Sequence, residues 1–263
     1  MDLGLKGRVA LVAASSQGLG KAVAFGLARE GVNLAMCSRD AAAIEDAAGA
    51  IRRETGVEIF TAAVDVTQEQ QVHGFVAQTI ERFGRIDICV ANAGGPPAKP
   101  FDAVTVEEWR RAIDLNLMST VLLAREVLPG MRDRRWGRFI AITSLTVKQP
   151  VENLVLSNSV RAGVAGLVKT LSNEYGQHNV LVNNVCPGYT ATDRLVELST
   201  TLARANSVAP EEIEKRWASQ IPLGRLGRPD EFADAVVYLC SERASYITGQ
   251  SIAVDGGFIR GLF

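Results

Sequence analysis

Apolar residues along this chain fall into two alternating rhythms. Short, almost unbroken runs rich in Val, Ile, Leu and Ala occupy residues 8–13, 33–37, 58–64, 86–91, 138–143, 180–186 and 251–254. Between them, apolar positions recur three and four residues apart over 19–29, 41–54, 68–83, 106–128, 154–175 and 229–240. The first rhythm predicts strands buried on both faces, and the second predicts amphipathic helices. Their alternation predicts an α/β fold in which right-handed crossovers build a doubly wound, seven-stranded parallel sheet. No linker, repeat or low-complexity stretch interrupts the pattern, so residues 1–263 are expected to form a single domain.

One interval breaks the rhythm. Residues 190–223 leave the sheet, with helical patterns over 195–205 and 210–219. An excursion of that length, starting where the sixth strand ends, would overhang the crevice at the carboxyl edge of the sheet. It is expected to be a substrate-pocket lid, with an oligomer contact as the alternative.

The first strand runs into Ala14-Ser15-Ser16-Gln17-Gly18-Leu19-Gly20 and then a helix. Glycines allow close approach of the backbone to a pyrophosphate, and the helix end offers free N–H groups and a positive dipole. The residues expected to hold phosphate are therefore Ser15, Ser16, Gln17, Gly18, Leu19 and Gly20, with hydroxyl donors from the two serines. After the second strand the chain reads Cys37-Ser38-Arg39-Asp40. An acid at the strand end would bond an adenosine ribose and repel a 2′-phosphate. Ser38 stands there instead, and the guanidinium of Arg39 suits phosphate, so the cofactor expected is NADP(H). The plainer alternative makes Arg39 a solvated charge opening the next helix.

Composition narrows the field. The chain has 263 residues, 47% hydrophobic and 22% charged, with a net charge of −1, which gives no electrostatic reason to expect nucleic acid or a membrane as partner. Cys37, Cys89, Cys186 and Cys240 are far apart in apolar surroundings and read as free buried thiols of a reducing, cytoplasmic compartment. His73 and His178 are isolated, so no metal site is expected. The first residues lack the blocks of a signal peptide, and no apolar run is long enough to span a bilayer.

Taken in order, further motifs resemble those of the short-chain dehydrogenase/reductase family over essentially the whole chain, and most closely its 3-oxoacyl-carrier-protein-reductase-like branch. These are Asp65-Val66, Asn92-Ala93-Gly94-Gly95, Asn116, Ser144, Pro187-Gly188-Tyr189-Thr190-Ala191-Thr192, residues 225–231, and 247–250 with 254–257. The resemblance implies a Rossmann-type fold, a homotetramer, and a small carbonyl or alcohol substrate. By the same resemblance, Asp65 and Val66 hold adenine, and Asn92, Ala93 and Gly94 lie beside the cofactor. Pro187, Gly188, Thr190 and Thr192 form the turn that anchors the nicotinamide amide, Asn116 organises the active site, and Ser144 orients substrate.

The chain departs from the family's pattern where proton transfer is expected. The family's Tyr-x-x-x-Lys falls here on Ser157-Asn158-Ser159-Val160-Arg161, and no tyrosine lies between Ser144 and Tyr175. Residues four apart share a helix face, so Ser157 and Arg161 are both expected to point at the cofactor. A serine hydroxyl is a poor acid near neutrality, and arginine cannot relay a proton, although it can donate to ribose hydroxyls. Water, Lys148 and Tyr189 are the alternative proton sources. Ala14 replaces the first glycine of the loop, which is tolerable if its backbone keeps a negative φ. Three readings stay open: an NADP(H)-dependent oxidoreductase with a remodelled proton route, an NADP(H)-binding protein with little turnover, and non-redox chemistry of the lyase or dehalogenase kind. Gly18, Gly20 and Arg39 weigh against the last.

Overall fold

In a computed structural model of the chain, residues 1–262 are described. The last residue of the expected domain, Phe263, lies outside the described residues. The seven strands are β1 Val9–Val12, β2 Asn33–Ser38, β3 Ile59–Ala63, β4 Ile88–Ala91, β5 Gly137–Ile142, β6 Val180–Pro187 and β7 Ser251–Val254. They pair in parallel in the order β3-β2-β1-β4-β5-β6-β7. Direction of travel reverses between β1 and β4, which makes that crevice the topological switch point.

The strand alternation divides the core into two layers. Ala10, Val12, Leu34, Met36, Ile88, Val90, Ile140 and Ile142 face helices α1 (Gly18–Arg29), α2 (Ala41–Thr55) and α9 (Pro229–Cys240). Their neighbours Leu11, Ala13, Ala35, Cys37, Cys89, Ala91, Phe139 and Ala141 face α3 (Glu69–Phe83), α5 (Ser119–Asp133) and α6 (Val155–Tyr175). Because successive side chains point to opposite faces, only strands apolar at every position can serve both layers. Each fully buried Leu or Ile contributes about 1.5–3 kcal/mol of transfer free energy.

The helix expected over 106–128 is not continuous. It comprises α4 (Val106–Ala112), a π-turn over Ile113–Met118, and then α5, which runs on to Asp133 through Pro129. Two hydroxyls on α5 bond back into that turn: Ser119 Oγ donates to the Leu115 carbonyl at 2.6 Å and Thr120 Oγ1 to that of Asn116 at 3.0 Å. Such back-bonding competes with the helical ladder and is a recognised cause of local distortion.

The excursion after β6 folds into α7 (Asp193–Asn206) and α8 (Pro210–Gln220). These helices pack through their own small core of Leu195, Ala203, Ile213 and Trp217. A bridge between Thr190 and Gly227 ties the base of the excursion to the chain's return. No described helix is long and apolar enough to cross a membrane.

Candidate functional site

The segment between β1 and α1 makes a turn rather than a cap. No side chain caps the N-terminus of α1, and no acid lies in its first turn, so its leading N–H groups face the switch-point crevice without a protein anion. Gly20 allows the turn to close, because a methyl there would drive into the Ala14 carbonyl oxygen and come within 2.8 Å of Asn92 Nδ2. That amide donates to the carbonyls of Ala13 at 3.3 Å and Ala14 at 3.1 Å, fastening the end of β4 to the turn.

Two expectations for this turn are corrected. Ala14 does not keep a negative φ; it sits at +47°, in the left-handed region that costs a non-glycine residue about 1–2 kcal/mol. The turn that aims the Ala14 carbonyl at Asn92 takes the conformation a glycine would adopt freely. Ser15 does not offer a hydroxyl to the crevice either. It is wholly buried, with Oγ donating to the Val12 carbonyl at 2.8 Å and its N–H to the Cys37 carbonyl at 3.0 Å. Ser16, Gln17, Gly18 and Leu19 stay at the crevice, each at least partly exposed.

Beyond β2, Ser38 Oγ and Asp40 form a local turn, and the Asp40 carboxylate caps α2 by accepting from the N–H groups of Ala42 and Ala43. The acid nearest the strand end is thereby occupied, and Arg39 stands exposed beside it. Asp65 accepts from Thr67 N–H at 3.0 Å and Thr67 Oγ1 at 2.8 Å, closing the turn into α3, while Val66 is buried against the core.

At the other side of the crevice, Thr192 caps α7 and lies over the glycine turn, with its Cγ2 3.8 Å from where a Gly18 methyl would sit. Thr190 Oγ1 bonds the Gly188 carbonyl at 3.4 Å, and Pro187 ends β6. The structure thus brings the loops after β1, β4 and β6 to one crevice.

The floor of the crevice is polar. The π-turn directs Asn116 Nδ2 to the Gly94 carbonyl at 2.8 Å, leaving the buried Oδ1 without a partner. Arg161 is also buried, and its guanidinium is held by backbone carbonyls. Nη1 donates to Thr143 at 2.6 Å and Ile142 at 3.2 Å, and Nη2 donates to Gly94 at 3.3 Å. The expected contact with ribose hydroxyls is therefore not its main engagement, although Nε has no protein acceptor among the described residues. Burial, reinforced by the nearby Arg194, brings its pKa down to about 10, so it stays charged at neutral pH.

Ser144 Oγ accepts from Thr146 N–H at 3.2 Å, and Ser157 Oγ lies 3.0 Å from Thr146 Oγ1. Thr146, which sequence reasoning missed, thus joins the two serines; a lone Thr two residues past a strand end carries no distinguishing signal. Tyr189 turns away into an aromatic cluster, stacked on Trp217 at 4.8 Å and edge-on to Phe258 at 5.2 Å. Burial raises its phenol pKa above the ordinary 10, which makes it a weaker acid than a free tyrosine. Tyr175 packs on the core at the far end of α6, and all four cysteines are free and buried.

Comparison with known proteins agrees with this fold. The family described as enoyl-(acyl carrier protein) reductase matches residues 13–259. The 3-oxoacyl-[acyl-carrier-protein] reductase FabG of Aquifex aeolicus is 34% identical over 257 residues, covering 98% of this chain and 99% of that one. The 7alpha-hydroxysteroid dehydrogenase of Escherichia coli K12 is 32% identical over 261 residues, covering 99% and 98%. The L-sorbose reductase of Gluconobacter frateurii, solved with NADPH and L-sorbose, superposes over 100% of both chains with a TM-score of 0.94 at 33% identity. The chain belongs to the short-chain dehydrogenase/reductase family.

Proposed function

We propose that the protein is an NADP(H)-dependent oxidoreductase acting on a small carbonyl or alcohol substrate, with an atypical proton-transfer site. The observation that carries this reading is the uncapped N-terminus of α1 at the β1/β4 switch point, followed one strand later by the exposed Arg39. The first suits a pyrophosphate and the second a 2′-phosphate. NADPH in the sorbose reductase supports the same choice. The residues that would hold the nucleotide are Ser16, Gln17, Gly18, Leu19 and Gly20 for the pyrophosphate and Ser38 with Arg39 for the 2′-phosphate. Asp65 and Val66 would take the adenine, Asn92, Ala93 and Gly94 the ribose side, and Pro187, Gly188, Thr190 and Thr192 the nicotinamide. The orphaned Oδ1 of Asn116 and the free Nε of Arg161 give the crevice floor polar groups that fit a hydroxyl-bearing ligand.

The nicotinamide supplies the hydride. Ser144, whose oxygen accepts from Thr146, keeps its own O–H free to donate to a substrate oxygen. Ser157, sharing a hydrogen bond with Thr146, adds a second hydroxyl. In this reading Ser157 and Arg161 stand where the family carries Tyr and Lys. Arg161, charged and fixed beneath the crevice, stabilises a developing alkoxide without moving a proton. The proton comes from water held by the serines. The α7–α8 excursion, residues 190–223, serves as the lid over the substrate pocket. A homotetramer is consistent with the exposed Phe101 in the short turn before α4 and Val106, Ile113 and Met118 along α4 and the π-turn, and buried free thiols suit the cytoplasm.

NADPH oxidation across ketoacyl thioesters, diketones and aldehydes tests the assignment. Turnover is expected on at least one class, and Ser157→Tyr with Arg161→Lys is expected to raise it. Firm NADPH binding with no turnover in either form would favour a binding protein instead. That second reading draws on the absence of a proton-relaying group at 157 and 161.

A further inference from the structure

Positive charge collects at the substrate side of the crevice, where the one acid among the described residues that meets it, Glu197, touches only Arg194. Arg161 is buried and touches only carbonyl oxygens. Arg194, from the first turn of α7, reaches across the opening. Its Nη2 donates to the Pro96 carbonyl at 3.0 Å, and its Nε would lie 3.4 Å from a Gly95 methyl. Two guanidiniums therefore hold one short stretch of chain, Gly94–Pro96, from beneath and from the excursion. They lie close enough that Arg194 disfavours the charge on Arg161.

The surrounding groups neutralise this charge only in part. Cys186 is kept protonated by burial, which raises its pKa. Glu197 meets Arg194 Nη1 at 3.4 Å, where both are at least half exposed and solvent weakens the pair, while Nη2 and Nε lie at Pro96 and Gly95. Lys99, by contrast, is matched to Glu108 at 2.6 Å and contributes no free charge. Under the nucleotide assignment, the cofactor's phosphates engage the start of α1 and Arg39 rather than Arg161 and Arg194. Uncompensated charge in a partly desolvated cleft raises the local concentration of anions and strengthens their binding.

We propose that the cleft selects an oxo acid, a substrate whose carboxylate lies one or two carbons from the carbonyl, with Arg194 as the residue that grips the acid. The inference rests on the reductase reading and names its substrate class. In the step, the hydride of the reduced nicotinamide joins the carbonyl carbon and the C=O π pair moves to oxygen. That oxygen takes a proton from water, leaving a hydroxy acid, the oxidised nucleotide and hydroxide.

Two measurements on the full chain test it. NADPH-dependent turnover is compared between short 2- and 3-oxo acids and their neutral amides, and calorimetry compares oxamate with neutral oxamide on the NADPH-saturated protein. The acids are expected to exceed the amides by at least about tenfold in kcat/KM, in line with a charge-assisted hydrogen bond. That ratio should collapse in Arg194→Gln, and oxamate alone should bind. Acids and amides used alike, or a ratio unchanged in Arg194→Gln with its melting temperature intact, overturns the inference. Oxamate binding that Arg194→Gln weakens, without turnover of any compound, sustains the anion site while removing the reductase reading. NADPH binding with no oxamate binding removes the anion site alone.

Discussion

Ala14→Gly should stabilise the protein, against the usual direction of an alanine-to-glycine change. The sign follows from φ at +47°, where an alanine methyl crowds the following carbonyl at a cost of about 1–2 kcal/mol that glycine escapes. Against this stands the extra entropy glycine loses on folding, about 0.5–1 kcal/mol. The methyl is only partly buried, so its loss forfeits a fraction of the roughly 0.8 kcal/mol of a fully buried carbon. The balance is about 0.5 kcal/mol in favour of glycine, a rise of about 1–2 °C in Tm for a chain of this size. The control is Ala162→Gly, at an exposed position inside α6, where glycine is expected to cost about 1 kcal/mol. Differential scanning calorimetry of the two variants beside the parent decides the matter. A fall in Tm for Ala14→Gly as large as that for Ala162→Gly would refute a left-handed Ala14.

Two further outcomes follow from local geometry. Gly20→Ala forces a methyl against the Ala14 carbonyl and Asn92 Nδ2, so it should destabilise by about 1–3 kcal/mol and weaken NADPH binding, read by thermal melting and calorimetric titration. Glu231 is held down to about 2 chiefly by its hydrogen bond from Arg225, and by the Arg228 N–H. A carboxylate with a depressed folded-state pKa contributes stability above its ordinary 4.5 that is lost as pH falls towards 2. Glu231→Gln should therefore flatten the acid limb of a Tm-against-pH curve in that window.

How much of this was legible in the sequence depends on whether a feature is written in side-chain pattern or in backbone geometry. The pairs Ala10/Leu11 and Val12/Ala13 are apolar at every step, and that alone fixed a strand covered on both faces. The glycine turn and the excursion after β6 were legible because each combines a residue pattern with its place at a strand end, whereas Asn92 and Asn116 were legible only through the resemblance to the family. The conformation of Ala14 was not, since φ at a turn is set by what its carbonyl must reach. The π-turn was hidden because the 3.6-residue periodicity runs through it almost undisturbed; only the hydroxyls of Ser119 and Thr120 hinted at it. Ser15 and Arg161 direct their polar atoms to backbone carbonyls that a sequence does not locate.

The central claim is that the crevice between β1 and β4 takes a 2′-phosphorylated nicotinamide nucleotide. Isothermal titration of the purified protein with NADPH and with NADH, repeated on Arg39→Glu, tests it most directly. The account predicts saturable binding of NADPH at least about tenfold tighter than NADH, the worth of one charge-assisted phosphate contact, with that preference lost in the variant. Saturation by neither nucleotide, or a preference that survives Arg39→Glu, would contradict it.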